Sequence, residues 1–592
     1  MMKPAIKPVF RLLAIVLPAV LCAHGTPTDL VDEKPIQISK TESGVYVVDF
    51  GRVAFGNIRL VPGADADGEV AVYFGEAFSD GRVNRTPPGT VRYNKATVAV
   101  DGNKPVIAAP PPDERNTETL STKHPPAILT PPEWGVVMPF RWVEIEGWDG
   151  ELLPEQITRQ AAYSATWEDD AASFVSSDEM LNRIWELCRY SIKATTFAGI
   201  YVDGDRERIP YEADAYLNQL SHYYTDNDIQ MARDTIDHLL EYGTWPTEWA
   251  PHMVFMVHAD WMQTGDKQWM ADRYERLKSK TLADRKGPDG LIASDELQVK
   301  KTDIVDWPKN ERDGYVFTPR NTVVNAFHLR AMSLMGAMAR ALGKDDEAEG
   351  FESSVRAGHQ IFQQTFFDSE TGLYKDGVDT GHSSLHANLF PLAFELAPEG
   401  GRVKIAEWMA NRGMGCSVYA AQYLLAGLFE NGADRQAVEL ITADNDRSWR
   451  HMVESGTTIT WEAWDMKYKP NQDWNHAWGA APANLLSRFV LGAQPLAPGW
   501  KRARIVPRVG NLAFAKGKVP TPMGPVFVDW KNNKTFTLSL VLPKGMKAQV
   551  GLPMGGKSAG VFSGGKRLKA TRVADRWILD KDVEGTVTLE VK

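Results

Sequence analysis

The sequence predicts a multidomain α and β protein, with a central (α/α)6 barrel flanked by an N-terminal β-sandwich domain and a C-terminal β-sandwich domain. Three observations carry that expectation. Apolar residues recur with period two up to about Ala165, then switch to helical spacing near Ser176. About twelve helical patterns follow in short-looped pairs with no strand pattern between them, which suits six stacked hairpins closed into a ring. Strand-like runs return after Pro495. An open solenoid is the alternative, but no internal repeat favours it. The expected divisions are a signal peptide at 1–25, the first β-domain at 26–168, the helical domain at 169–494 and the last β-domain at 495–592.

Taken in order, the chain opens with Lys3, Lys7 and Arg11 ahead of an apolar run at residues 12–21, and Ala23-His24-Gly25 offers a small-x-small cleavage site. This pattern predicts a secretory signal and an exported protein, periplasmic or secreted. The run is too short to span a bilayer, and no later segment is a membrane span. Cys22 invites lipid anchoring, but bulky Leu21 stands where a small residue is wanted.

Within the first β-domain, residues 45–50 and 57–61 read as two short strands divided by Gly51 and Gly56, while 69–74 and 141–145 alternate with period two. The proline-rich stretch 108–134 interrupts them as an irregular insertion or surface loop, since strand pattern resumes after it. Ser176-x-x-Glu179 is a capping-box signature ahead of Leu181, Ile184, Trp185 and Cys188 at helical spacing. Asp228 is placed to cap the next helix. Residues 321–342 form a long helix ended by Gly343, and a helix is expected after Tyr211. Further helical patterns lie near 248–265, 267–283, 345–365, 383–395, 401–411, 417–431, 433–444 and 476–491. Strands close the chain at 535–542, 548–552, 577–579 and 586–591.

Composition excludes some functions. The net charge is −10 without a long basic run, which argues against nucleic-acid binding. Beyond Cys22 only Cys188 and Cys416 remain, no disulfide framework, and both sit in apolar helical patterns as core thiols. No H-E-x-x-H, C-x-x-C or carboxylate-dense calcium loop occurs, so neither a metal nor a cofactor is implied. The nineteen tryptophans favour carbohydrate, because sugar rings present C–H faces that stack on indole. The oligomeric state stays open.

The chemistry concentrates in a few stretches. Residues 201–214 interleave five carboxylates with Arg206 and Arg208, then run into apolar and aromatic sequence. Acids and arginines at the mouth of an apolar region suit binding a polyol and protonating a leaving group. A loop that salt-bridges helix ends is the plain alternative. Farther on, Glu462 stands between Trp461 and Trp464 with little charge compensation nearby, so burial would raise its pKa unless water or hydroxyls solvate it. Asn475-His476 follows in an apolar surround. Trp245-Pro246-Thr247-Glu248-Trp249 and Asp306-Trp307-Pro308 place indoles beside proline and carboxylate, as at the mouth of a barrel.

These clusters together resemble the bacterial α-L-rhamnosidases of glycoside hydrolase family 78, over most of the chain. The likeness begins with Phe140-Arg141-Trp142-Val143-Glu144-Ile145 and continues through residues 177–185. Asp205-Arg206-Glu207-Arg208-Ile209-Pro210-Tyr211 looks like the family's acidic signature Asp-x-x-x-Arg-Asp-Glu-Arg followed two residues later by Trp. Thr457-Thr458-Ile459-Thr460-Trp461-Glu462-Ala463-Trp464 resembles its Thr-Thr-Ile-Trp-Glu-x-Trp, and Pro498-Gly499-Trp500 resembles the start of its last β-domain. The order Arg-Asp is reversed here, Asp203 lies closer to Glu207 than the family's leading Asp, and Tyr211 replaces Trp. The resemblance implies Glu207 as general acid and Glu462 as general base of an inverting hydrolase acting on rhamnose-containing glycosides, oligosaccharides or polysaccharides. It implies Asp203, Asp205, Arg206, Tyr211, Trp249, Asp306, Trp307, Trp461, Trp464 and His476 as sugar contacts. Another barrel enzyme, such as a phosphorylase or a polysaccharide lyase, and a non-catalytic carbohydrate-binding protein are the competing readings.

Overall fold

The computed structural model describes residues 25–117, 125–554 and 559–592. Residues 1–24, with Cys22 and nearly all of the expected signal segment, lie outside the described residues, as does the middle of the proline-rich stretch.

Eight of the N-terminal strands form one continuous antiparallel sheet, and Phe78–Ser79 and Arg82–Val83 pair apart from it. Thr28–Glu33, Ile157–Ser164, Tyr46–Leu60, Met138–Glu146, Asp67–Gly75 and Tyr93–Asp101 lie side by side, and Gln37–Lys40 and Val106–Ala108 also pair with Tyr46–Leu60. The two short strands expected at 45–50 and 57–61 are therefore one bent strand of 15 residues. Gly51 adopts φ 82°, and the register against Met138–Glu146 slips between Asp49 and Ala54. Glycine here permits a bulge rather than ending the strand. The bend lets the first half pair with Gln37–Lys40 and the second with Ile157–Ser164. Val48, Ile58, Val72, Phe74, Phe140 and Ile145 fill the core beneath.

The helical region sorts by burial. Glu212–Tyr223, His252–Thr264, Thr322–Ala341, Leu385–Ala393, Val418–Glu430 and Ala481–Leu485 each pack on the next, and the last packs on the first. Helices in such a ring have neighbours on every side and need apolar residues all round. Val418–Glu430 buries eleven of its 13 residues, whereas the outer helix Asp345–Phe366 buries four of 22. The expected helix at 476–491 is a 3-10 turn Ala477–Ala480, an α-turn and a π-helical segment Leu486–Val490 in succession. Two short helices, Glu296–Lys301 and Trp449–Glu454, add to those expected. The cap of Glu179–Ala194 is Asp178, whose carboxylate accepts the Leu181 N–H at 3.1 Å. Ser176 does not cap it, because Ser176 ends a strand and its hydroxyl engages Asn182 at 3.0 Å. Cys188 and Cys416 are buried and unbridged. No helix among the described residues is long and apolar enough to cross a membrane.

Two sheets follow the helices. Phe514–Val519, Val526–Asn532, Phe536–Val541 and Thr586–Val591 are consecutive in one, and Ser173–Ser176 joins its edge from ahead of the helices. Arg502–Ile505 pairs in parallel with Lys547–Pro553 in the other. Their core is continuous with that of the helices. The indole N–H groups of Trp500 and Trp530 donate across the junction to Gln263 and the Val490 carbonyl, both at 2.8 Å.

The N-terminal sheet meets the helices through buried charge. Asp205, with no exposed surface, lies 2.5 Å from Arg92 Nε and accepts from Arg208 Nη2 at 2.7 Å. Arg92 comes from the strand-end loop of the first domain and also holds Asp113 at 2.6 Å. The proline-rich stretch closes over the same place: Asn116 donates to the Asp205 carbonyl at 2.8 Å, and the Ile128 N–H to the Arg208 carbonyl at 2.9 Å. Removing one cation from a buried pair leaves an uncompensated charge, typically costing about 3–5 kcal/mol. Asp205 would keep Arg208, so Arg92→Met is expected to lower the unfolding free energy by up to about that range, seen as a lower urea midpoint of the first transition. An unchanged midpoint in circular dichroism would show that the interdomain charge contributes nothing.

Candidate active site

Two distant stretches meet at one guanidinium. The first is the loop leading into the helix Glu212–Tyr223. Its backbone is special: Gly204 adopts φ 132° and Arg208 φ 54°. A Cβ on Gly204 would come within 3.0 Å of Asn475 Oδ1 and 3.1 Å of the Asn475 carbonyl oxygen, so only glycine fits there. That close approach lets the Asp205 N–H donate to Asn475 Oδ1 at 2.8 Å. The loop is thus laid against the second stretch, which carries Glu462, Asp473, Asn475 and His476.

Arg206 stands between them. Its Nη1 and Nη2 donate to Glu462 Oε2 and Oε1 at 2.9 and 3.3 Å, and its Nε donates to Glu207 Oε1 at 3.4 Å. Asp203 and Asp473 lie 3.8 and 3.9 Å away. Lys469 Nζ approaches Glu462 Oε1 at 3.1 Å, and the Asp473 N–H donates to Glu462 Oε2 at 3.1 Å. Burial pushes the Glu462 pKa up, but Arg206, His476 and Lys469 together outweigh it and hold it at about 2. The expectation of a poorly compensated carboxylate among indoles is corrected. Its counter-charges come from Arg206, 256 positions earlier, and from Lys469.

Glu207 occupies a different setting. About a third of its side chain reaches solvent, against 3% for Glu462. The Tyr211 hydroxyl donates to its Oε2 at 2.9 Å. Burial, reinforced by Glu207 and Asp203, pushes the Tyr211 phenol well above its ordinary range. Asp203 is buried and accepts the Ile209 N–H at 3.0 Å, while its other oxygen has no hydrogen-bond partner. Burial and the neighbouring Glu207 push its pKa well up. His476 Nε2 pairs with Asp214 Oδ1 at 2.7 Å beside the Trp478 ring.

The other expected sugar contacts spread out. Tyr211 meets buried Trp249 edge to face at 5.6 Å. Trp307 is half-buried and meets the exposed Trp245 edge to face at 6.4 Å. Three expected contacts are fully buried. Asp205 is enclosed by Arg92 and Arg208. Trp464 is fully buried, with its N–H on the Cys416 carbonyl at 2.7 Å. Asp306 is fully buried, accepting from His386 at 2.6 Å and from the Ser417 N–H at 2.9 Å, which ties it to the start of Val418–Glu430. Trp461 stacks on Trp474 at 5.5 Å. The loop before Trp307 is strained: Val305, β-branched, sits at φ 61°. Glu248 holds it there by accepting the Ile304 and Val305 N–H groups at 3.0 and 2.9 Å.

Several residues of the site escaped sequence reasoning. Asp214 belonged to the acidic stretch but carried no role, and Lys469 and Asp473 fall inside the polar-aromatic run before His476. Thr90, whose hydroxyl donates to Asp473, and Glu76, which accepts from Asn475 at 3.0 Å, come from the β-domain and had no signal. Glu462, Asp473 and His476 bring ligand atoms within 4.8 Å of one another, a spacing that suits a cation. Arg206 and Lys469 already sit on Glu462, so the cluster carries its own positive charge.

The model of the bacterial α-L-rhamnosidase 6 hairpin glycosidase domain matches residues 169–490. The chain belongs to this family. The concanavalin-like and C-terminal domains of bacterial α-L-rhamnosidases match residues 39–163 and 492–567. An α-L-rhamnosidase of Alteromonas sp. (strain LOR) is 25% identical over 461 residues, 69% of this chain and 48% of the relative. One from Formosa agariphila is 24% identical over 494 residues, 76% of this chain and 52% of the relative. The chain thus spans about half the length of the curated relatives it matches. Among solved structures, the α-L-rhamnosidase from Dictyoglumus thermophilum aligns with TM-score 0.79 at 18% identity, covering 96% of this chain and 64% of that one. The Streptomyces avermitilis α-L-rhamnosidase complexed with L-rhamnose aligns at 0.77 and 17% identity, covering 96% and 54%. Those likenesses establish a shared fold.

The pairing of Arg206 with Glu462 has a pH signature. A pKa held at about 2 rather than 4.5 adds stability above the ordinary value, and that stability is lost as pH falls from 4.5 towards 2. Arg206→Met is expected to destabilise the protein most at neutral pH, with the gap to wild type closing through that acid window. Urea denaturation at several pH values measures it, and a gap independent of pH would rule out the electrostatic origin.

Proposed function

We propose that this protein is an exported, inverting glycoside hydrolase that removes terminal α-L-rhamnose, or a closely related neutral sugar, from glycosides, oligosaccharides or polysaccharides. The observation that carries the reading is a pair of carboxylates in unlike settings on one guanidinium. Glu462 is buried and held ionised, the state a general base needs. Glu207 lies at the solvent edge with about a third of its side chain exposed, where an acid can meet a leaving oxygen. In the proposed reaction Glu207 protonates the glycosidic oxygen while Glu462 takes a proton from water. The water attacks the anomeric carbon opposite the departing oxygen, and the configuration inverts. We read the closed ring of six inner helices, with the outer helices against it, as an (α/α)6 barrel whose end presents this site. Export rests on the basic residues and apolar run ahead of residue 25.

The charge of the site favours an uncharged sugar. Both cations of the site, Arg206 and Lys469, are already engaged by Glu462, and Arg206 also by Glu207. An incoming phosphate or uronate would find no unmatched positive charge there, which weighs against a phosphorylase. A lyase needs a phenolate or imidazole base. Tyr211 is pushed away from ionising, and His476 is tied to Asp214.

Two experiments test the roles. Glu207→Gln is expected to slow hydrolysis of a natural rhamnoside by roughly 10²–10⁴-fold. An aryl rhamnoside with a good leaving group should lose less, because it needs less protonation. Equal losses on both would remove the acid assignment.

The second concerns stereochemistry. A water seated between the carboxyl groups requires them about 6.5–9.5 Å apart in the working complex, against about 5 Å for direct attack by Glu462. The first sugar released from an α-rhamnoside should then be the β-anomer. Proton NMR within minutes of mixing, before mutarotation, reads this out. Initial release of the α-anomer would sink the base role of Glu462.

A further inference from the structure

A cavity lies in the seam between the N-terminal domain and the stretch that carries Glu462. Its volume is about 350 Å³, within the range of small-molecule sites. Phe78 and Trp142 line it from the N-terminal domain, and Trp461 and Trp474 from the helical domain. The rings are stacked pair by pair, each pair within its own domain. Phe78 lies on Trp142 at 4.3 Å, and Trp461 lies on Trp474 at 5.5 Å. Arg141 covers Trp142 at 4.4 Å and is itself held by Asp49 through two bonds of 2.8 Å. Each ring pair is therefore held on its own wall, while the walls meet elsewhere in the lining, where the Val53 N–H donates to the Thr458 hydroxyl at 2.8 Å. An ordinary domain seam lined with so much aromatic surface would close by packing. This one stays open, and Phe78 keeps 37% of its surface exposed. The indole N–H groups of Trp461 and Trp474 are buried without an acceptor, so the seam does not complete its own hydrogen bonding either.

The lining also contains Glu76, Asn84 and Thr457, hydroxyl-binding groups beside aromatic rings. A pyranose ring has apolar C–H faces and a rim of hydroxyls, and calls for that combination. We infer that this seam is a second, non-catalytic subsite for a pyranose unit of a glycan chain, held by Phe78 and the opposing tryptophans. The carbohydrate character of the ligand rests on the functional reading above; the cavity itself does not. The subsite is separate from the candidate catalytic groups, because neither Glu207 nor Glu462 lines it. It is nevertheless mechanically linked to them. Glu76 accepts from Asn475, whose side-chain oxygen in turn accepts the Asp205 N–H. A glycan seated in the seam would therefore lie against the residues that shape the acid loop.

Native gel electrophoresis through rhamnogalacturonan I, and separately through a neutral rhamnan, tests the proposal on the full chain. Wild type and Glu207→Gln should both be retarded in at least one of the two gels. Phe78→Ala should bind roughly tenfold more weakly there. Phe78→Tyr should keep the retardation, and both Phe78 variants should hydrolyse p-nitrophenyl α-L-rhamnoside at the wild-type rate. Retardation that depends on Phe78 in a protein inactive on the aryl rhamnoside would remove the hydrolase reading and leave the subsite standing. Migration of wild type unaffected by either polysaccharide overturns the subsite. So does equal retardation of wild type and Phe78→Ala, failure of Phe78→Tyr, or a parallel loss of aryl-rhamnoside hydrolysis in Phe78→Ala.

Discussion

The buried carboxylate of Asp205 is the constraint from which the site is built. A charge with no access to water must be matched by opposite charge at close range, and here Arg92 and Arg208 supply it. Arg208 belongs to the same loop, whereas Arg92 comes from a loop of the N-terminal domain. The match can only be made with the two domains in one relative position. With Asp205 so placed, its N–H reaches Asn475, and Gly204 passes within contact distance of that residue. Arg206 and Glu207 are then delivered to the opposite side of the loop, where Glu462 waits. The left-handed conformation at Arg208 and the glycine at 204 are the local conditions for this turn.

Arg206 then distributes charge unequally. It donates two hydrogen bonds to Glu462 and a single longer one to Glu207. Lys469 adds to the first and Tyr211 to the second. An ammonium and a guanidinium stabilise an anion far more than a phenol does, so the two carboxylates differ although they share a neighbour. The result is a Glu462 carboxylate held ionised in spite of its burial. It also explains why Lys469, though buried, is kept: burial lowers its pKa, and the attraction of Glu462 works against that loss of charge.

The N-terminal sheet is more than an attached module. Thr90 and Glu76 reach Asp473 and Asn475, and Val53 donates its N–H to the Thr458 hydroxyl at 2.8 Å. The proline-rich stretch, whose purpose composition left open, packs on the backbone of Asp205 and Arg208. Loops without regular hydrogen bonding need such outside partners to hold one conformation. The aromatic seam beside them follows from the same contact between domains, since each wall is stacked on its own side before the two meet.

Local pattern determined a good deal. The change of period at Ser176, the helical stripes and the returning strands set the order of β-rich, helical and β-rich regions, because side-chain periodicity is a property of a few consecutive residues. The acidic stretch around Glu207 and the Trp-Glu-x-Trp run around Glu462 stood out for the same reason. Sequence could not assign charge partners. Glu462 looked uncompensated because Arg206 is 256 positions away, and no local pattern showed that Asp205, Asp306 and Trp464 would be fully enclosed. A glycine pair suggested two strands where the backbone makes one bent strand, since glycine permits either outcome and only cross-strand pairing chooses. Tertiary structure alone decided which carboxylates are buried, what neutralises them and which domain supplies the neutralising group. Electrostatic energy depends on distance and burial in space, and neither is encoded by spacing along the chain.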